Sequence, residues 1–229
     1  MSANKTTDEL RQLHGPHYAA RLEGTAHGRR LTRLLSHISL QPGHEVADFA
    51  CGNGALAEHV CPLVGSYTGV DFSDAMIGFA AARAKRLAIA NARFECTSIE
   101  AFCDSHQRSF DVGFALDFSE HVYDESWRSI LERIRTSLRS PGKLYLHTPN
   151  AGFFLERMKR RNFLVKQSPE HIAVRTLDEN TRLLEEAGFS ISKAILIPHY
   201  NALRHIHPLS FVPLLGRHFK ARIFIEALS

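Results

Sequence analysis

The stretch VADFACGNG, residues 46–54, connects an apolar strand to a helix through a glycine-containing loop. Gly52 and Gly54 allow the backbone to turn tightly and to approach a ligand closely, and the helix that follows offers unpaired backbone N–H groups. Asp71 ends the next predicted strand, where its carboxylate can accept hydrogen bonds from both hydroxyls of a ribose. The loop, its strand-to-helix context and the acid together predict a site for a nucleoside-containing cofactor.

From residue 45 onward, short apolar segments alternate with segments of helical periodicity. Such alternation is typical of a parallel sheet with helices on both faces, so the sequence predicts an α/β fold built as a Rossmann-like three-layer α/β/α sandwich. The predicted strands are residues 45–50, 67–71, 93–96, 110–117, 143–148, 190–197 and 218–227.

Start and stop signals delimit the helices between these strands. Ser73 is placed to cap one helix, and Thr176 with Glu179 forms a capping-box pattern at the start of another. A 3.6-residue apolar period predicts a third helix that stops at Pro141-Gly142. The helices are expected over residues 55–63, 74–88, 125–139 and 177–187, with one or two more within residues 1–44 over the sheet edge.

Length and composition indicate one globular unit. The chain has 229 residues, of which 44% are hydrophobic, and neither a repeat nor a long linker interrupts it, so a single domain over residues 1–229 is expected. Its net charge of +4 permits anionic partners without requiring nucleic acid. The four cysteines lack C-x-x-C spacing, which argues against a zinc knuckle. Because the sequence shows no membrane span and no signal peptide, we expect a cytoplasmic protein.

The loop can also be compared with the dinucleotide fingerprint G-x-G-x-x-A, which GNGALA at residues 52–57 matches. An NAD-dependent dehydrogenase is therefore a competing interpretation. Asp48 argues against it, because an acid inside the first strand brings nothing to a pyrophosphate loop. The chain also leaves little room after the second strand for a separate substrate domain.

Six motifs carry a resemblance to a known family: VADFACGNG (46–54), GVDFSDAMI (69–77), FECTSIEAF (94–102), FDVGFALDFSEHV (110–122), SLRSPGKLYLHTPN (137–150) and LLEEAGF (183–189). Through them, residues 40–228 resemble the class I S-adenosylmethionine (SAM)-dependent methyltransferases. The resemblance implies a seven-stranded, mostly parallel sheet whose last strand, 218–227, runs antiparallel. Ala50 is a departure, since many members have the first glycine of the loop there.

The resemblance also implies SAM as the cofactor and places residues around it. The methionine part of SAM would be surrounded by Asp48, Ala50, Gly52 and Gly54. The ribose would be held by Asp71, the adenine would be bordered by Phe72, Met76, Ser98 and Ile99, and the transferred methyl group would lie near Asp117.

Asp117, Glu120 and His121 form a D-x-x-E-H element at the end of the fourth predicted strand. Its spacing resembles the E-x-x-E-H element of ubiquinone-biosynthesis O-methyltransferases and small-RNA 3′-terminal 2′-O-methyltransferases, where it is associated with a divalent cation. His171 resembles a histidine of the RNA-methylating relatives and is the fourth candidate ligand. Two oxygens and two imidazole nitrogens suit Mg²⁺, Mn²⁺, Fe²⁺ or Zn²⁺. Asp117 departs from the family's first Glu, because its side chain is one methylene shorter.

Two alternatives to a metal site stay open. The element can line a metal-free polar pocket in which His121 or His171 acts as general base, or it can be merely structural. The sulfonium of SAM already activates the methyl group, so catalysis must mainly align the acceptor. A hydroxyl must also lose its proton, by either route, which favours oxygen over carbon as the acceptor atom and leaves nitrogen open as an alternative.

Residues 151–175 and 199–217 are expected to form lid segments on the substrate side. Residues 151–167 interleave apolar and basic side chains, a pattern that suits a lid helix, contact with an anionic membrane surface, or a grip on RNA phosphates. The ubiquinone-pathway relatives carry a membrane-contacting insertion near this place, which is consistent with a lipid-tailed acceptor.

The sequence therefore predicts a SAM-dependent O-methyltransferase that acts on a small hydroxyl acceptor, aromatic or lipid-tailed, with peripheral membrane contact as a further expectation. An RNA 2′-O-methyltransferase, a small-molecule N-methyltransferase and a non-catalytic SAM-binding protein are the alternatives. The lack of an added RNA-binding domain argues against the first of these.

Overall fold

The computed structural model describes residues 28–160, 171–198, 212 and 216–229. Its strands are β1 (Glu45–Phe49), β2 (Ser66–Asp71), β3 (Ala92–Cys96), β4 (Phe110–Leu116), β5 (Leu138–Pro149), β6 (Ser190–Ile197) and β7 (Arg222–Leu228). They form one seven-stranded sheet in the order β3-β2-β1-β4-β5-β7-β6. β1 to β5 pair in parallel, and β7 runs antiparallel to both of its neighbours. The predicted sheet, including its antiparallel last strand, is thus confirmed.

Helices connect the strands. They are α1 (Gly28–Leu35), α2 (Ala57–Val60), α3 (Asp74–Arg86), α4 (Ile99–Ser105), α5 (Asp124–Ser137), α6 (Phe154–Arg160) and α7 (Leu177–Glu186), with 3₁₀ turns at Cys61–Leu63, Ser119–His121 and Gly216–Phe219.

Two apolar clusters, one on each face of the sheet, give the fold its three layers. Leu34 of α1 belongs to one cluster and Trp127 of α5 to the other, and both side chains are buried. β5 contributes to both clusters, because successive side chains of a strand point to opposite faces. Leu144 and Leu146 pack in the cluster of Trp127, whereas Tyr145 packs in the cluster of Leu34.

The start signals read from the sequence are present as hydrogen bonds. The Ser73 hydroxyl accepts from the Met76 N–H at 3.4 Å and caps α3. At the start of α7, the Thr176 N–H donates to Glu179 Oε2 at 2.7 Å, and the Glu179 N–H donates to Thr176 Oγ1 at 3.3 Å. This reciprocal capping box satisfies two backbone donors that the first turn of a helix leaves unpaired.

The predicted end of α5 is wrong. The helix stops at Ser137 and β5 begins at once, so Pro141-Gly142 lie inside the strand. Leu138 already has an extended ψ of 146° and is paired with Phe110 of β4. Its side chain is buried in the core, which ends the helix before the proline is reached.

Two other boundaries also differ from the prediction. The helix expected over 55–63 is divided into α2 and a 3₁₀ turn that contains Pro62, a residue without a backbone N–H to continue the α-helical pattern. The strand expected over 218–227 begins at Arg222, because the chain before it forms the 3₁₀ turn at Gly216–Phe219.

Several expectations fall partly on residues outside this description. The N-terminal segment 1–44 is described from residue 28, and residues 161–170, 199–211 and 213–215 of the two lid segments lie outside as well. The interleaved segment 151–167 is therefore seen only through α6 and the turn before it. Each helix of the described ranges is too short or too polar to cross a bilayer.

Candidate active site

A cavity of about 450 Å³ lies at the carboxyl ends of β1, β2 and β4. This is where open α/β sheets bind ligands, and the volume suits a small-molecule site. Of the thirteen predicted site residues, only Gly54 is absent from its wall. The others that line the cavity are Asp48, Ala50, Gly52, Asp71, Phe72, Met76, Ser98, Ile99, Asp117, Glu120, His121 and His171.

The two glycines of the loop have different tasks. Both have a positive φ, +54° at Gly52 and +69° at Gly54. A Cβ on Gly54 would lie 2.8 Å from Ala80 Cβ and 3.2 Å from Phe94, so this glycine lets α3 pack against the loop. A Cβ on Gly52 would meet no described atom within 4 Å, although the residue lines the cavity. Gly52 therefore shapes the cavity, and Gly54 supports the loop from behind.

Ala50 takes the backbone conformation of the glycine that it replaces. Its φ is +60°, in the left-handed region where a Cβ costs roughly 1–2 kcal/mol. The loop thus keeps its shape in this chain at an energetic cost.

Asp71 is fixed in orientation by backbone donors. Its Oδ2 accepts from the Gly52 N–H at 3.0 Å, and its Oδ1 accepts from the Ser73 N–H at 2.9 Å. These bonds tie the end of β2 to the glycine loop and to the start of α3. The carboxylate is thereby held at the cavity wall, where carboxylate oxygens can accept hydrogen bonds from ligand hydroxyls.

Asp48 is buried at the end of β1 and accepts a short hydrogen bond from the hydroxyl of Tyr67. Burial raises the pKa of Asp48 to about 7, although the bond from Tyr67 works in the opposite direction. A ligand that brings positive charge into the cavity would favour the ionised form of this carboxyl. Tyr67 was not among the predicted site residues, since its position in an apolar strand resembles that of any core aromatic residue.

Part of the cavity wall is apolar and includes Phe72, Met76 and Ile99. The ring of Phe72 is 40% exposed, whereas Met76 and Ile99 are buried. The Ser98 hydroxyl accepts from the Ala101 N–H at 3.2 Å and caps α4, so this part of the wall lies at the start of α4. An exposed ring beside buried apolar side chains offers a surface on which a flat ligand ring can stack.

Glu120, His121 and His171 form what we term the metal cluster. One ligand atom from each lies within 4.8 Å of the other two. The rings of His121 and His171 are 5.2 Å apart between centroids and nearly perpendicular, at 78°. One carboxylate and two imidazoles that share a cavity wall form a donor set suited to a divalent ion. The three residues therefore fit such an ion.

A chain of hydroxyls orients Glu120. The Thr148 hydroxyl donates to Glu120 Oε2 at 3.0 Å, and the Ser119 hydroxyl donates to Thr148 Oγ1 at 3.0 Å. This direction of donation holds when Glu120 is ionised, because an ionised carboxylate only accepts hydrogen bonds. Burial raises the pKa of Glu120 to about 8, and the nearby Asp117 carboxylate acts in the same direction.

Backbone and guanidinium contacts place His171 beside His121. The N–H groups of Ile172 and Ala173 both donate to the carbonyl oxygen of Glu120, each at 3.0 Å. The buried Arg175 donates to the carbonyl oxygens of Ser119 at 2.6 Å and Val122 at 2.7 Å. These bonds fasten the segment after residue 170 to the 3₁₀ turn that carries Glu120 and His121.

Asp117, predicted as both a metal ligand and a cofactor neighbour, lies in a different set of contacts. Its Oδ1 is 2.8 Å from Arg222 Nη1 and 3.1 Å from His147 Nδ1, and its Oδ2 forms an ion pair with Arg30. Burial works in the opposite direction, yet Arg222, His147 and Arg30 hold the pKa of Asp117 well below its usual range. The structure thus brings three of the four predicted ligands together and pairs Asp117 with arginines.

The sequence contained few signals for the residues that support the site. Arg30, Arg175 and Arg222 are far apart in the chain and belong to no motif. Thr148 lies inside the quoted motif 137–150, but nothing in that motif pairs its hydroxyl with Glu120.

Comparisons with known proteins agree on one family. A family model described as a methyltransferase domain matches residues 18–194. The ubiquinone biosynthesis O-methyltransferase of Albidiferax ferrireducens is 28% identical over 116 residues, which are 51% of this chain and 45% of that protein. The protein of the same name from Idiomarina loihiensis is 30% identical over 124 residues, 53% of this chain and 49% of that protein. The chain thus spans about half the length of these curated relatives.

A solved structure shows the same fold. Magnesium protoporphyrin IX methyltransferase from Synechocystis PCC 6803, determined with bound SAH (S-adenosylhomocysteine), superposes with a TM-score of 0.63 at 17% identity. The match covers 100% of this chain and 90% of that one.

Proposed function

Because the chain belongs to the family of methyltransferase domains, we propose that it transfers the methyl group of SAM to a hydroxyl of a small acceptor with the help of a divalent ion. One observation carries this proposal: the glycine loop, Asp71 and the metal cluster all line the same cavity. A methyl donor and a hydroxyl acceptor have to meet in line, and a shared cavity allows this.

In this proposal, SAM binds along the glycine loop. Asp71 accepts the ribose hydroxyls, and the carboxyl of Asp48 faces the positively charged methionine end. The exposed ring of Phe72 borders the adenine. The SAH bound by the Synechocystis protein of the same fold supports this choice of cofactor.

Methyl transfer forms one bond and breaks another at the same carbon. The acceptor oxygen bonds to the methyl carbon as the S–CH₃ bond breaks, and the electron pair of that bond stays on sulfur, which loses its positive charge. The hydroxyl proton must leave the oxygen before or during this step, because a neutral hydroxyl is a weak nucleophile.

In this proposal, the metal cluster promotes the loss of the hydroxyl proton. A divalent ion held there would lower the pKa of the acceptor hydroxyl. Glu120, oriented by Thr148, and the two imidazoles would hold such an ion at the cavity wall. Without an ion, the imidazole of His121 or His171 would take the hydroxyl proton at a ring nitrogen, since histidine titrates near neutral pH.

The names of the relatives support the acceptor class. Both are ubiquinone biosynthesis O-methyltransferases, which favours an oxygen acceptor over nitrogen and a small molecule over RNA. The proposed acceptor is accordingly a small hydroxylated ring compound.

Calorimetry with SAH tests the cofactor, and methyl transfer tests the chemistry. We expect the full chain to bind SAH and not NADH, and Asp71→Ala to weaken SAH binding by at least about tenfold, since two ribose hydrogen bonds are lost. His121→Ala should leave SAH affinity nearly unchanged and abolish methyl transfer. Binding of NADH without binding of SAH would refute the proposal.

A further inference from the structure

Two arginines from opposite ends of the described chain converge on one carboxylate in the cavity wall. Arg30 comes from the first turn of α1, and Arg222 is the first residue of β7. Arg30 pairs with Oδ2 of Asp117, and Arg222 pairs with Oδ1. The side chains remain partly open, with 27% and 24% of their surface exposed, and both line the cavity.

This arginine cluster of Arg30, Arg222 and Asp117 carries an excess of positive charge. Two guanidiniums face one carboxylate, and the adjacent His147 can only add positive charge. Glu120 also lines this wall, where its Oε2 accepts the hydrogen bond of the Thr148 hydroxyl. In addition, Nε of Arg30 is buried without a hydrogen-bond partner among the described residues. The three residues together therefore carry net positive charge, and Arg30 has a donor to spare.

Its place in the sheet associates Arg222 with the acceptor. The residues proposed to hold SAM follow β1 and β2, on one side of β4. Arg222 lies on the other side of β4, beyond β5, where it is paired with Pro149. The acceptor has to approach the transferred methyl group from the β5 side of β4, since SAM, the methyl donor, occupies the side of β1 and β2.

We propose that the acceptor carries an anionic group, a carboxylate or a phosphate, and that Arg222 binds it and so determines substrate specificity. A guanidinium recognises both groups through paired N–H donors. This inference rests on the proposed function, because it assigns the acceptor of the same site.

Matched ligand pairs test the inference by calorimetry on the full chain saturated with SAH. One pair is 3,4-dihydroxybenzoate and catechol, which differ by the carboxylate, and the other is phenyl phosphate and phenol. We expect one of the anionic ligands to bind at least about tenfold more tightly than its neutral partner, and the pair that shows the preference identifies the group. Arg222→Gln should abolish the preference, while SAH affinity changes less than about threefold. Arg128→Gln removes the same charge from the exposed face of α5 and should keep the preference.

Several results would overturn the inference. The first is equal affinity for both members of each ligand pair, or binding of neither member. The second is a preference for the anionic ligand that survives in Arg222→Gln. The third is a loss of SAH affinity in that variant, which would assign Arg222 to the methionine carboxylate. If Arg222→Gln does not fold, Arg222→Lys keeps the charge but loses the paired donors and should reduce the preference. Failure of SAH to bind would refute the proposed function instead, and the ligand pairs would then be compared on the chain alone by the same criterion.

Discussion

The hydroxyl of Thr148 donates a 3.0 Å hydrogen bond to Oε2 of Glu120, joining the end of β5 to the metal cluster. Both side chains are buried, and Ser119 completes the chain of donors from behind. One oxygen of Glu120 is thus committed to the protein, which leaves the other for the imidazoles and their ligand. Thr148 is a positioning residue, because it acts on the site only through Glu120.

Replacement of Thr148 tests this relationship. Thr148→Val keeps the shape and removes the hydroxyl, so we expect Mn²⁺ affinity to fall by about ten- to a hundredfold, as for other partners of metal ligands. SAH affinity should stay unchanged. Thr148→Ser restores the donor and should restore most of the Mn²⁺ affinity, measured by calorimetry. Wild-type Mn²⁺ affinity in Thr148→Val would show that the hydroxyl does not position Glu120.

Arg175 should be important for stability. Arg175→Met removes a buried guanidinium that donates to the carbonyl oxygens of Ser119 and Val122, which costs about 2–4 kcal/mol of unfolding free energy. Arg182→Met is the matched control, because Arg182 is 63% exposed and pairs with Glu186 one turn away. Its expected cost is below about 0.5 kcal/mol. Urea denaturation measures both variants, and equal midpoints would contradict the assigned role.

Substitutions at the two loop glycines should affect stability and cofactor binding to different extents. Gly54→Ala forces a Cβ into Ala80 and Phe94 at a positive φ, so we expect a loss of about 2–4 kcal/mol in unfolding free energy. Gly52→Ala has no such collision and should cost about 1–2 kcal/mol. Its methyl group enters the cavity wall, so SAH affinity should fall more than in Gly54→Ala. Thermal unfolding measures the stability of the two variants, and calorimetry measures their affinity for SAH. A larger loss of stability in Gly52→Ala, or a larger loss of SAH affinity in Gly54→Ala, would refute these separate roles.

Asp48 should make stability depend on pH. Its pKa rises from 3.8 to about 7 in the folded chain, so between these values the folded state binds more protons than the unfolded state. The contribution of Asp48 to stability is then fully present below pH 3.8 and declines as pH rises towards 7, by at most about 1.4 kcal/mol per pH unit. Asp48→Asn lacks this titration and still accepts the Tyr67 hydroxyl.

The comparison with Asp48→Asn isolates the effect from other titrating groups. The unfolding free energy of the variant minus that of the wild type should increase through this range and become constant above about pH 7. Urea denaturation at a series of pH values gives this difference. A difference independent of pH would show that Asp48 is ionised in the folded state throughout.

Local signals explain which features the sequence predicted well. The glycine loop and the caps at Ser73 and Thr176 depend on neighbours within a few residues, and the structure has them as predicted. Glu120 and His121 share a turn, so their proximity could also be predicted from the sequence.

Tertiary contacts explain what the sequence could not predict. Arg222 reaches Asp117 across 105 positions, and only the sheet order brings the two together. The spacing of D-x-x-E-H suggested one ligand set, but the arginines draw Asp117 away from it. The early end of α5 has the same origin, because burial of Leu138 beside Phe110 outweighs the local stop signal.

The proposed mechanism requires that the metal cluster and the SAM site form one active site. Calorimetric titration of Mn²⁺ into the SAH-saturated full chain, free of any histidine tag, tests it most directly. We expect one binding site, weakened at least about tenfold in His171→Ala by the loss of an imidazole ligand. The control His44→Ala, whose ring lies outside the cavity wall, should bind Mn²⁺ like the wild type. Failure of Mn²⁺ to bind, or unchanged affinity in His171→Ala, would contradict the claim.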